Sequence, residues 1–305
     1  MYGKSVKTGS YINRTYRIDA QLGSGGSGAV YMAWHTRLKK HVVIKIIKDS
    51  YAGAVEIHRN EVEALKNVKS LFIPQVFDFL TESKNSFTIM EYIEGESFDK
   101  LLEQGLCFTE QQINKWYIQL ASALAAIHKC DVCHRDIKPS NIMLTKNGDA
   151  CLIDFNSAFV SGNRTGVVSR SMGYASPEQY EYFRVCKDAY SGILPDLNET
   201  SLVAGDCRTE PVMRKKSSAY SGVLHFNRNG VYEIDWKLSD IYSLGATMCH
   251  FLTGKRPPVK TIDIEKISEL EGYSTNILKI IRKSMNTFPD DRFASAEELE
   301  AALTQ

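Results

Sequence analysis

The apolar residues of this chain change their spacing near residue 93, and that change limits the folds it can adopt. Before it, runs such as YRIDAQLG, AVYMAWHT and HVVIKII are rich in alternating, β-branched and aromatic residues, which favours strands. One stretch, 54–69, has apolar residues three and four apart, which predicts a helix. Beyond residue 93, helical spacing dominates. We therefore expect an α+β fold with an N-terminal extension (1–15), a small strand-rich lobe (16–93) and a larger, mostly helical lobe (94–305).

Composition excludes several classes of function. The 305 residues carry 37 Lys+Arg against 36 Asp+Glu, so no charge excess suggests a nucleic-acid partner. No apolar run approaches the roughly 18 residues of a transmembrane helix, and the first residues lack the apolar core of a signal peptide. Seven scattered cysteines indicate a reducing compartment. We expect a cytoplasmic protein, or the cytosolic part of a longer membrane-anchored one.

The stretch CDVCHRDIKPSNIML supports two incompatible interpretations. Its first five residues spell C-x-x-C-H, the attachment pattern of c-type haem. From His134 onward it spells H-R-D-x-x-x-x-N, the loop of a phosphotransferase. Haem attachment follows export, for which the chain shows no signal, and no second C-x-x-C completes a zinc site. We interpret Cys130 and Cys133 as small, partly buried thiols at the end of a helix.

A glycine-rich segment, LGSGGSGAV, lies between two predicted strands. Alone it is weak evidence, because a tight turn or a dinucleotide site has similar letters. A dinucleotide site needs a helix after the last glycine, and here a strand pattern follows. Glycines without side chains let backbone N–H groups approach phosphates, so the segment favours a phosphate-binding flap.

The strand VVIK places Lys45 in apolar surroundings, where an ammonium needs a carboxylate or a phosphate. Three glutamates of the following helix are candidates. We favour Glu61 over Glu56 and Glu63, because Leu65 lies one turn further along the same face and would pack inward.

Two oxygen-bearing side chains could hold a cation. Pro139 indicates that the backbone around Asn141 is a loop. Thirteen residues later, after a predicted hairpin, Asp154 ends an apolar strand. Carboxylate and amide oxygens are ligands of hard cations, so Asn141 and Asp154 predict a divalent metal site.

Taken together, the chain resembles the bacterial eukaryotic-like (Hanks-type) serine/threonine protein kinases over residues 16–305. The motifs that carry the resemblance are LGSGGSGAV, VVIK, HRDIKPSN, DFN, GYASPEQY, SDIYSLG and PDDRFASAEEL. It implies the bilobal protein-kinase fold and an ATP-dependent enzyme that phosphorylates Ser or Thr hydroxyls of proteins, with Mg²⁺ or else Mn²⁺ as cofactor. A pseudokinase scaffold is the alternative. A small-molecule kinase would lack the GYASPEQY segment.

The resemblance implies roles for residues of the site. Asp136 would orient the substrate hydroxyl and accept its proton, and Lys138 would neutralise charge on the γ-phosphate. Lys45 would hold the α- and β-phosphates and pair with Glu61. Metal would be bound by Asn141 and Asp154. The residues implied in ATP binding are Leu22, Gly23, Gly25, Gly28, Val30, Val43, Lys45, Met90, Glu91, Ile93 and Met143.

Other positions would support the site. His134, Phe155 and Leu65 would stack in a hydrophobic spine. The remaining implied contacts are a Glu178–Arg292 ion pair and a cap from Asp240 beneath the catalytic loop, which is residues 134–141.

Arg135, beside the catalytic aspartate, would bind a phosphate on the activation segment, the stretch between the DFN and GYASPEQY motifs that includes residues 164–171. The candidate phosphorylation sites are Thr165, Ser169 and Ser171. Because Ser171 occupies the position of the family's substrate-facing hydroxyl, where it would contact Asp136 and Lys138, we predict autophosphorylation at Thr165 or Ser169.

Three features depart from the family pattern. Asn156 replaces a glycine, but asparagine tolerates positive φ, so Asp154 could still reach metal. Ser176 replaces an alanine, which we treat as neutral. A long insertion at about 181–236 contains the basic cluster Arg214–Lys216. We expect a surface insertion, with a docking or regulatory element as the alternative. The sequence identifies neither the protein substrate nor the activating signal, and it does not decide whether the chain forms a homodimer.

Overall fold

A computed structural model shows the protein as two compact units. The residues described are 6–25, 28–48, 59, 62–82, 85–155, 159–160, 167–169, 171–190, 201–203, 225–226, 232–257 and 264–305. The N-terminal unit comprises Met1–Lys69 and Pro74–Glu94, and the C-terminal unit comprises Ser70–Ile73 and Gly95–Gln305. The division after Glu94 lies one residue beyond the predicted lobe boundary.

The N-terminal unit is built on one antiparallel sheet, in the order β1-β2-β3-β4-β6-β5. Its strands are β1 (Tyr11–Ile12), β2 (Tyr16–Gly25), β3 (Gly28–His35), β4 (Lys40–Lys48), β5 (Val76–Glu82) and β6 (Asn85–Glu91). The predicted strands are all present. Of the predicted helix at 54–69, residues 59 and 62–66 are described, and they are helical.

The two faces of this sheet differ in burial. On β4, Val42, Ile44 and Ile46 are buried and belong to the hydrophobic core of the unit. Because side chains alternate along a strand, Val43 and Lys45 lie on the opposite face, and both are half-buried. The sequence interpretation placed Lys45 in a buried strand, and the structure shows that only the other face of that strand is buried.

The C-terminal unit is mostly helical. Its elements are β7 (Gly95–Ser97), α1 (Phe98–Glu103), α2 (Glu110–Lys129), β8 (Val132–Cys133), β9 (Ile142–Thr145), β10 (Ala150–Leu152), β11 (Phe159–Val160), β12 (Val167–Ser169), α3 (Pro177–Tyr190), β13 (Ser201–Val203), β14 (His225–Phe226), β15 (Tyr232–Glu233), α4 (Trp236–Thr253), α5 (Thr275–Ser284) and α6 (Ala296–Leu303). Short antiparallel pairings join β10-β9-β7, β8-β11, β12-β13 and β14-β15. A sheet-based unit and a helical unit confirm the predicted α+β class.

Helices α2 and α4 form the centre of the C-terminal unit. The capping box at the start of α2 is confirmed, since Thr109 and Gln112 each bond the other's backbone N–H. Helix α4 is buried along nearly its whole length. Near its end Phe251 stacks on Phe98 of α1 with ring centroids 4.4 Å apart. This contact brings the first turn of α1 close to the end of α4. Among the residues that the structure describes, we find no helix with the length and hydropathy needed to span a lipid bilayer.

Candidate active site

The loop that follows β8 is held by its histidine. The Nε2 atom of His134 bonds the Ile153 carbonyl at 3.0 Å, and its Nδ1 accepts the backbone N–H of Asp136 at 3.3 Å. These two bonds require the neutral tautomer with hydrogen on Nε2. The ring is fully buried and makes an edge contact with Phe155, with centroids 4.9 Å apart. The histidine therefore joins the catalytic loop to the segment carrying Asp154.

A buried carboxylate on α4 supports the same loop. Asp240 accepts the backbone N–H groups of His134 and Arg135, each at 2.7 Å. The same carboxylate bonds Nε2 of His128 at 3.1 Å. Arg135 has a φ of 62°, a strained value for a residue with a side chain. The two bonds to Asp240 hold the loop in this conformation.

Asp136 is the centre of a polar cluster. Its Oδ2 accepts Nζ of Lys138 at 2.8 Å and Nδ2 of Asn141 at 3.2 Å, and Asn141 also bonds the Asp136 carbonyl at 2.7 Å. Its Oδ1 accepts the hydroxyl of Ser171 at 2.7 Å, and Lys138 bonds that hydroxyl at 3.0 Å. The carboxylate is thus oriented on one oxygen by a cation and an amide, and it bonds a hydroxyl through the other.

The backbone N–H of Ile153, the residue before Asp154, bonds the Asn141 carbonyl at 2.8 Å. The Asn141 side chain donates its amide hydrogens towards Asp136, which leaves its amide oxygen pointing away from that carboxylate. Asp154 has a φ of 64°, a strained backbone for an aspartate. An amide oxygen and a carboxylate suit a hard divalent cation, so the donor set fits Mg²⁺ or Mn²⁺.

The segment that begins at Ser171 is anchored at several points. Ser176 is buried, its hydroxyl bonds Ser239 at 2.8 Å and accepts the N–H of Gln179 at 3.3 Å, and it thereby caps α3. The Gln179 side chain donates to the Arg135 carbonyl at 2.8 Å. The Ser176 hydroxyl thus makes two hydrogen bonds that an alanine could not make, and the expectation that this replacement is neutral stays a prediction.

Glu178 and Arg292 form a buried ion pair with two parallel bonds. Nη1 to Oε1 is 2.7 Å and Nη2 to Oε2 is 2.9 Å, and the side chains are 3% and 0% exposed. Arg292 also donates to the Asn286 and Leu238 carbonyls. Because several N–H donors of the guanidinium are hydrogen-bonded, the cost of burying its charge is offset.

The residues predicted to bind ATP are divided between the two units. In the N-terminal unit Val30 is paired with Lys45 and Val43 with Met90 in adjacent strands, so the four share the face opposite the core. The glycine-rich segment is a hairpin in which Gly23 is paired with Val30 and Gly25 with Gly28. Leu22 is 50% exposed.

The other predicted ATP-binding positions lie at strand ends or in the second unit. Glu91 ends β6 and bonds Gln75 through its backbone and its carboxylate, and half-buried Ile93 follows. Met143 lies in β9 of the C-terminal unit and is half-buried.

A sequence profile of the protein kinase domain matches residues 16–191, more than half of the chain. The chain belongs to the protein kinase family. The match includes the glycine-rich hairpin, Lys45, the whole catalytic loop and Asp154. The bilobal kinase fold expected from the motifs is confirmed, with its curled antiparallel sheet and its helical segments.

Three curated relatives with similar sequences are bacterial proteins. The chain is 31% identical over 192 residues to a probable serine/threonine-protein kinase of Clostridium acetobutylicum, covering 60% of this chain and 29% of that protein. It is 32% identical over 194 residues to the kinase PknA of Corynebacterium glutamicum, covering 59% and 41%. A probable kinase of Clostridium perfringens aligns over 298 residues at 26% identity, covering 95% and 38%. The chain thus spans less than half the length of each of these relatives.

Some predicted positions of the kinase lie outside the described residues. These are Glu61, Asn156 and Thr165, together with most of the insertion. Ser169 lies in β12, and its side chain is not described. Helix α3 extends to Tyr190, so the first ten residues of the predicted insertion, 181–190, continue a helix that starts in the GYASPEQY motif.

The C-x-x-C-H letters have a structural explanation in this kinase. Cys130 is the C-cap residue of α2, and Cys133 is buried in β8, where burial and then the charge of Asp240 raise the pKa of its thiol. Both ring nitrogens of His134 are hydrogen-bonded. Cys130 is a partly buried thiol at a helix end, as the sequence predicted, whereas Cys133 is buried in the strand that follows.

Sequence reasoning missed two contacts. Tyr174 bonds His250 at 2.6 Å, and His128 bonds Asp240 at 3.1 Å. The partners are 76 and 112 residues apart. We found no spacing or motif in the sequence that predicts either pair.

Proposed function

We propose that the chain is an ATP-dependent serine/threonine protein kinase that transfers the γ-phosphate to Ser or Thr hydroxyls of proteins. The observation that carries the proposal is the bond from the Ser171 hydroxyl to Oδ1 of Asp136 at 2.7 Å, with Lys138 at 3.0 Å from the same hydroxyl. An aliphatic hydroxyl between a carboxylate and an ammonium has the surroundings that a phosphoryl acceptor requires.

Asp136 would act on the acceptor hydroxyl. Lys138 and Asn141 bond its Oδ2, so the carboxylate cannot rotate freely and Oδ1 is presented to a hydroxyl. As the acceptor oxygen forms its bond to the γ-phosphorus, the bond from that phosphorus to the β–γ bridging oxygen breaks and ADP leaves. The hydroxyl proton passes to the Asp136 carboxylate. Positioning of the hydroxyl supplies much of the rate.

Lys138 would contribute charge as well as orientation. Its ammonium lies within hydrogen-bonding distance of both Asp136 and the bonded hydroxyl, so a phosphoryl group arriving at that hydroxyl would meet a positive charge. Asn141 and Asp154 would hold Mg²⁺, or Mn²⁺ in its place. When bound, the divalent cation neutralises negative charge on the phosphate oxygens.

The sheet of the N-terminal unit would bind the nucleotide. Val30, Val43 and Met90 offer an apolar surface on the face opposite the core, and Lys45 supplies one cation on the same face. An adenine ring and its phosphates need such an apolar surface with a charge at one side. The pairing of Lys45 with Glu61 stays a prediction.

Serine/threonine specificity is supported by the relatives, which are named as serine/threonine kinases, and by Lys138 two residues after Asp136. No comparison favours the pseudokinase alternative, and the described catalytic-loop side chains are all in place. We propose a cytoplasmic location on the five described cysteines, which are unpaired thiols.

Incubation with radiolabelled ATP, magnesium and dephosphorylated casein, followed by phosphoamino-acid analysis, tests the proposal. We expect phosphoserine and phosphothreonine, and a loss of both with Lys45→Met. The matched control is Lys48→Met, which removes a lysine from the end of the same strand. Labelled phosphotyrosine alone, or equal labelling by Lys45→Met, would contradict the proposal.

A further inference from the structure

Tyr174, in the turn that leads from Ser171 into α3, is held by a histidine. The hydroxyl of Tyr174 lies 2.6 Å from Nδ1 of His250, near the end of α4. Tyr174 is 8% exposed and His250 is half-buried. The two rings are tilted by 35° with centroids 6.0 Å apart. A short bond between two largely enclosed rings fixes the position of the tyrosine.

Tyr174 is connected through Ser171 to the polar cluster around Asp136. Its backbone N–H bonds the Ser171 carbonyl at 3.0 Å, and the Ser171 side chain bonds both Asp136 and Lys138. A chain of hydrogen bonds therefore runs from His250 through Tyr174 and Ser171 to the carboxylate that would accept the substrate proton. Displacement of Tyr174 would move Ser171 with it.

The glycine immediately before Tyr174 gives this turn little freedom. Gly173 has a φ of 87°, and its N–H bonds the hydroxyl of Tyr180 at 3.0 Å. A Cβ at Gly173 would lie 3.2 Å from Cγ of Arg256 and from the Pro257 carbonyl oxygen. The turn is thus packed against Arg256 and Pro257, which follow the end of α4 and lie a few residues after His250.

Charged groups surround the Tyr174–His250 pair. Burial and then the charge of Arg256 lower the pKa of His250 from its ordinary value of 6.5. Burial raises the pKa of Tyr174 to about 12, with Arg256 opposing and Asp99 of α1 adding to the shift. The Oδ1 atom of Asp99 is buried and has no hydrogen-bond partner among the described residues. Among the described residues, Asp99 and Arg256 are the charged groups that shift the pKa of one or both rings.

We propose that His250 is a positioning residue whose neutral imidazole holds Tyr174, and through it Ser171, in the arrangement that binds protein substrates. The inference rests on the proposed kinase function and goes beyond it, since it makes substrate affinity depend on the protonation state of one residue on α4. Among the described residues His250 bonds Tyr174 and not Asp136, so we expect its effect to fall on KM for the protein substrate.

The chemistry of the bond explains the dependence. In the neutral ring with hydrogen on Nε2, Nδ1 accepts a hydrogen bond from the Tyr174 hydroxyl. Protonation turns Nδ1 into a donor, so the phenol hydrogen must find another acceptor. It also places a second positive charge near Arg256. Both changes oppose the arrangement seen here, so acid should loosen the turn that carries Ser171.

Two substitutions separate the contact from the titration. His250→Leu removes the acceptor. His250→Asn keeps an acceptor oxygen near the place of Nδ1 and does not titrate. We would measure KM and kcat for dephosphorylated casein between pH 5.5 and 8, with His41→Asn, an exposed histidine of the N-terminal unit, as the matched control.

For wild type and His41→Asn we expect KM to rise about fivefold towards pH 5.5, the effect of one weakened hydrogen bond. His250→Leu should show the high KM at every pH. His250→Asn should recover most of the affinity and lack the acid rise. An unchanged KM in His250→Leu, or a full acid rise in His250→Asn, would overturn the inference.

A titration without turnover distinguishes this inference from the proposed function. The His250 ring is followed by NMR in the wild type and in Tyr174→Phe. Loss of the phenol donor should move the His250 midpoint upward, and an unmoved midpoint would overturn the inference. A shifted midpoint in a wild type that phosphorylates no protein would overturn the proposed function and leave the contact established.

Discussion

Asp240 accepts the backbone N–H groups of His134 and of Arg135 at 2.7 Å each, from a fully buried position on α4. The two bonds fix consecutive residues of the catalytic loop, one of which has a positive φ. A carboxylate is suited to this task because each oxygen can accept one N–H. The geometry of the candidate active site thus depends on a residue that would never touch substrate.

Replacement of Asp240 by asparagine should destabilise the protein. The amide places an NH₂ group against one of the two N–H donors, which leaves a buried donor without an acceptor. We expect a loss of about 2–4 kcal/mol in the free energy of unfolding, measured with urea. Asp131→Asn is the matched control, because Asp131 is 65% exposed in a surface pair with Lys237 and should cost less than about 1 kcal/mol. Equal losses in both variants would refute the role of Asp240.

The buried pair of Arg292 and Glu178 should respond strongly to removal of one partner. Arg292→Met leaves a carboxylate that is 3% exposed without its cation, and we expect a loss of about 3–5 kcal/mol. Lys283→Met breaks the half-exposed pair with Glu298 and should cost less than about 1 kcal/mol. Thermal and urea unfolding of the two variants measure the difference. A loss below that of the surface variant would show that the pair does not hold α3 in place.

The buried hydroxyl of Tyr117 makes stability sensitive to alkali. It lies 2.8 Å from the Ser284 hydroxyl, and burial raises the pKa of the phenol well above 10. In the unfolded chain the same group ionises near pH 10. The stability that the neutral phenol contributes is therefore fully present below pH 10 and is lost as the pH rises from there through the raised pKa of the folded state.

In Tyr117→Phe the free energy of unfolding should therefore fall less between pH 9 and 11 than in the wild type. The matched control is Tyr11→Phe, a change at a side chain that is 56% exposed, which should retain the wild-type slope. Identical slopes in all three proteins would contradict burial of the Tyr117 hydroxyl.

Autophosphorylation is predicted at Thr165 or Ser169, because Ser171 is engaged with Asp136 and Lys138. Mass spectrometry after incubation with ATP should find phosphate at one of these two positions in the wild type and none in Asp136→Asn. The double variant Thr165→Ala, Ser169→Ala should lose that phosphate. A fully active enzyme with an unmodified activation segment, or phosphate on Ser171 alone, would be evidence against the prediction.

Much of the fold could be predicted because its patterns are local. The alternation of Val42, Ile44 and Ile46 with less buried neighbours defines a strand with one core face. Thr109 and Gln112 lie three residues apart and mark the start of α2. Such signals need only a short stretch of chain. The catalytic loop was equally accessible, since Asp136, Lys138 and Asn141 lie within six residues.

The remaining features depend on residues that meet only after folding. The bond of Tyr174 to His250 joins positions 76 residues apart, and that of His128 to Asp240 joins positions 112 apart. Neither histidine lies in a motif. The bond of Ser176 to Ser239 is of the same kind, because it forms only when α4 brings Ser239 to the serine. Long-range packing decides these contacts, and a single sequence does not encode them in its spacing.

The rate of phosphate transfer from ATP to dephosphorylated casein, compared between the wild type and Asp136→Asn at saturating ATP, tests the central claim most directly. If Asp136 orients the acceptor hydroxyl and takes its proton, the rate should fall by about 10²–10⁴-fold while the affinity for ATP stays the same. Transfer by Asp136→Asn at the wild-type rate, or an absence of transfer by both proteins, would contradict it.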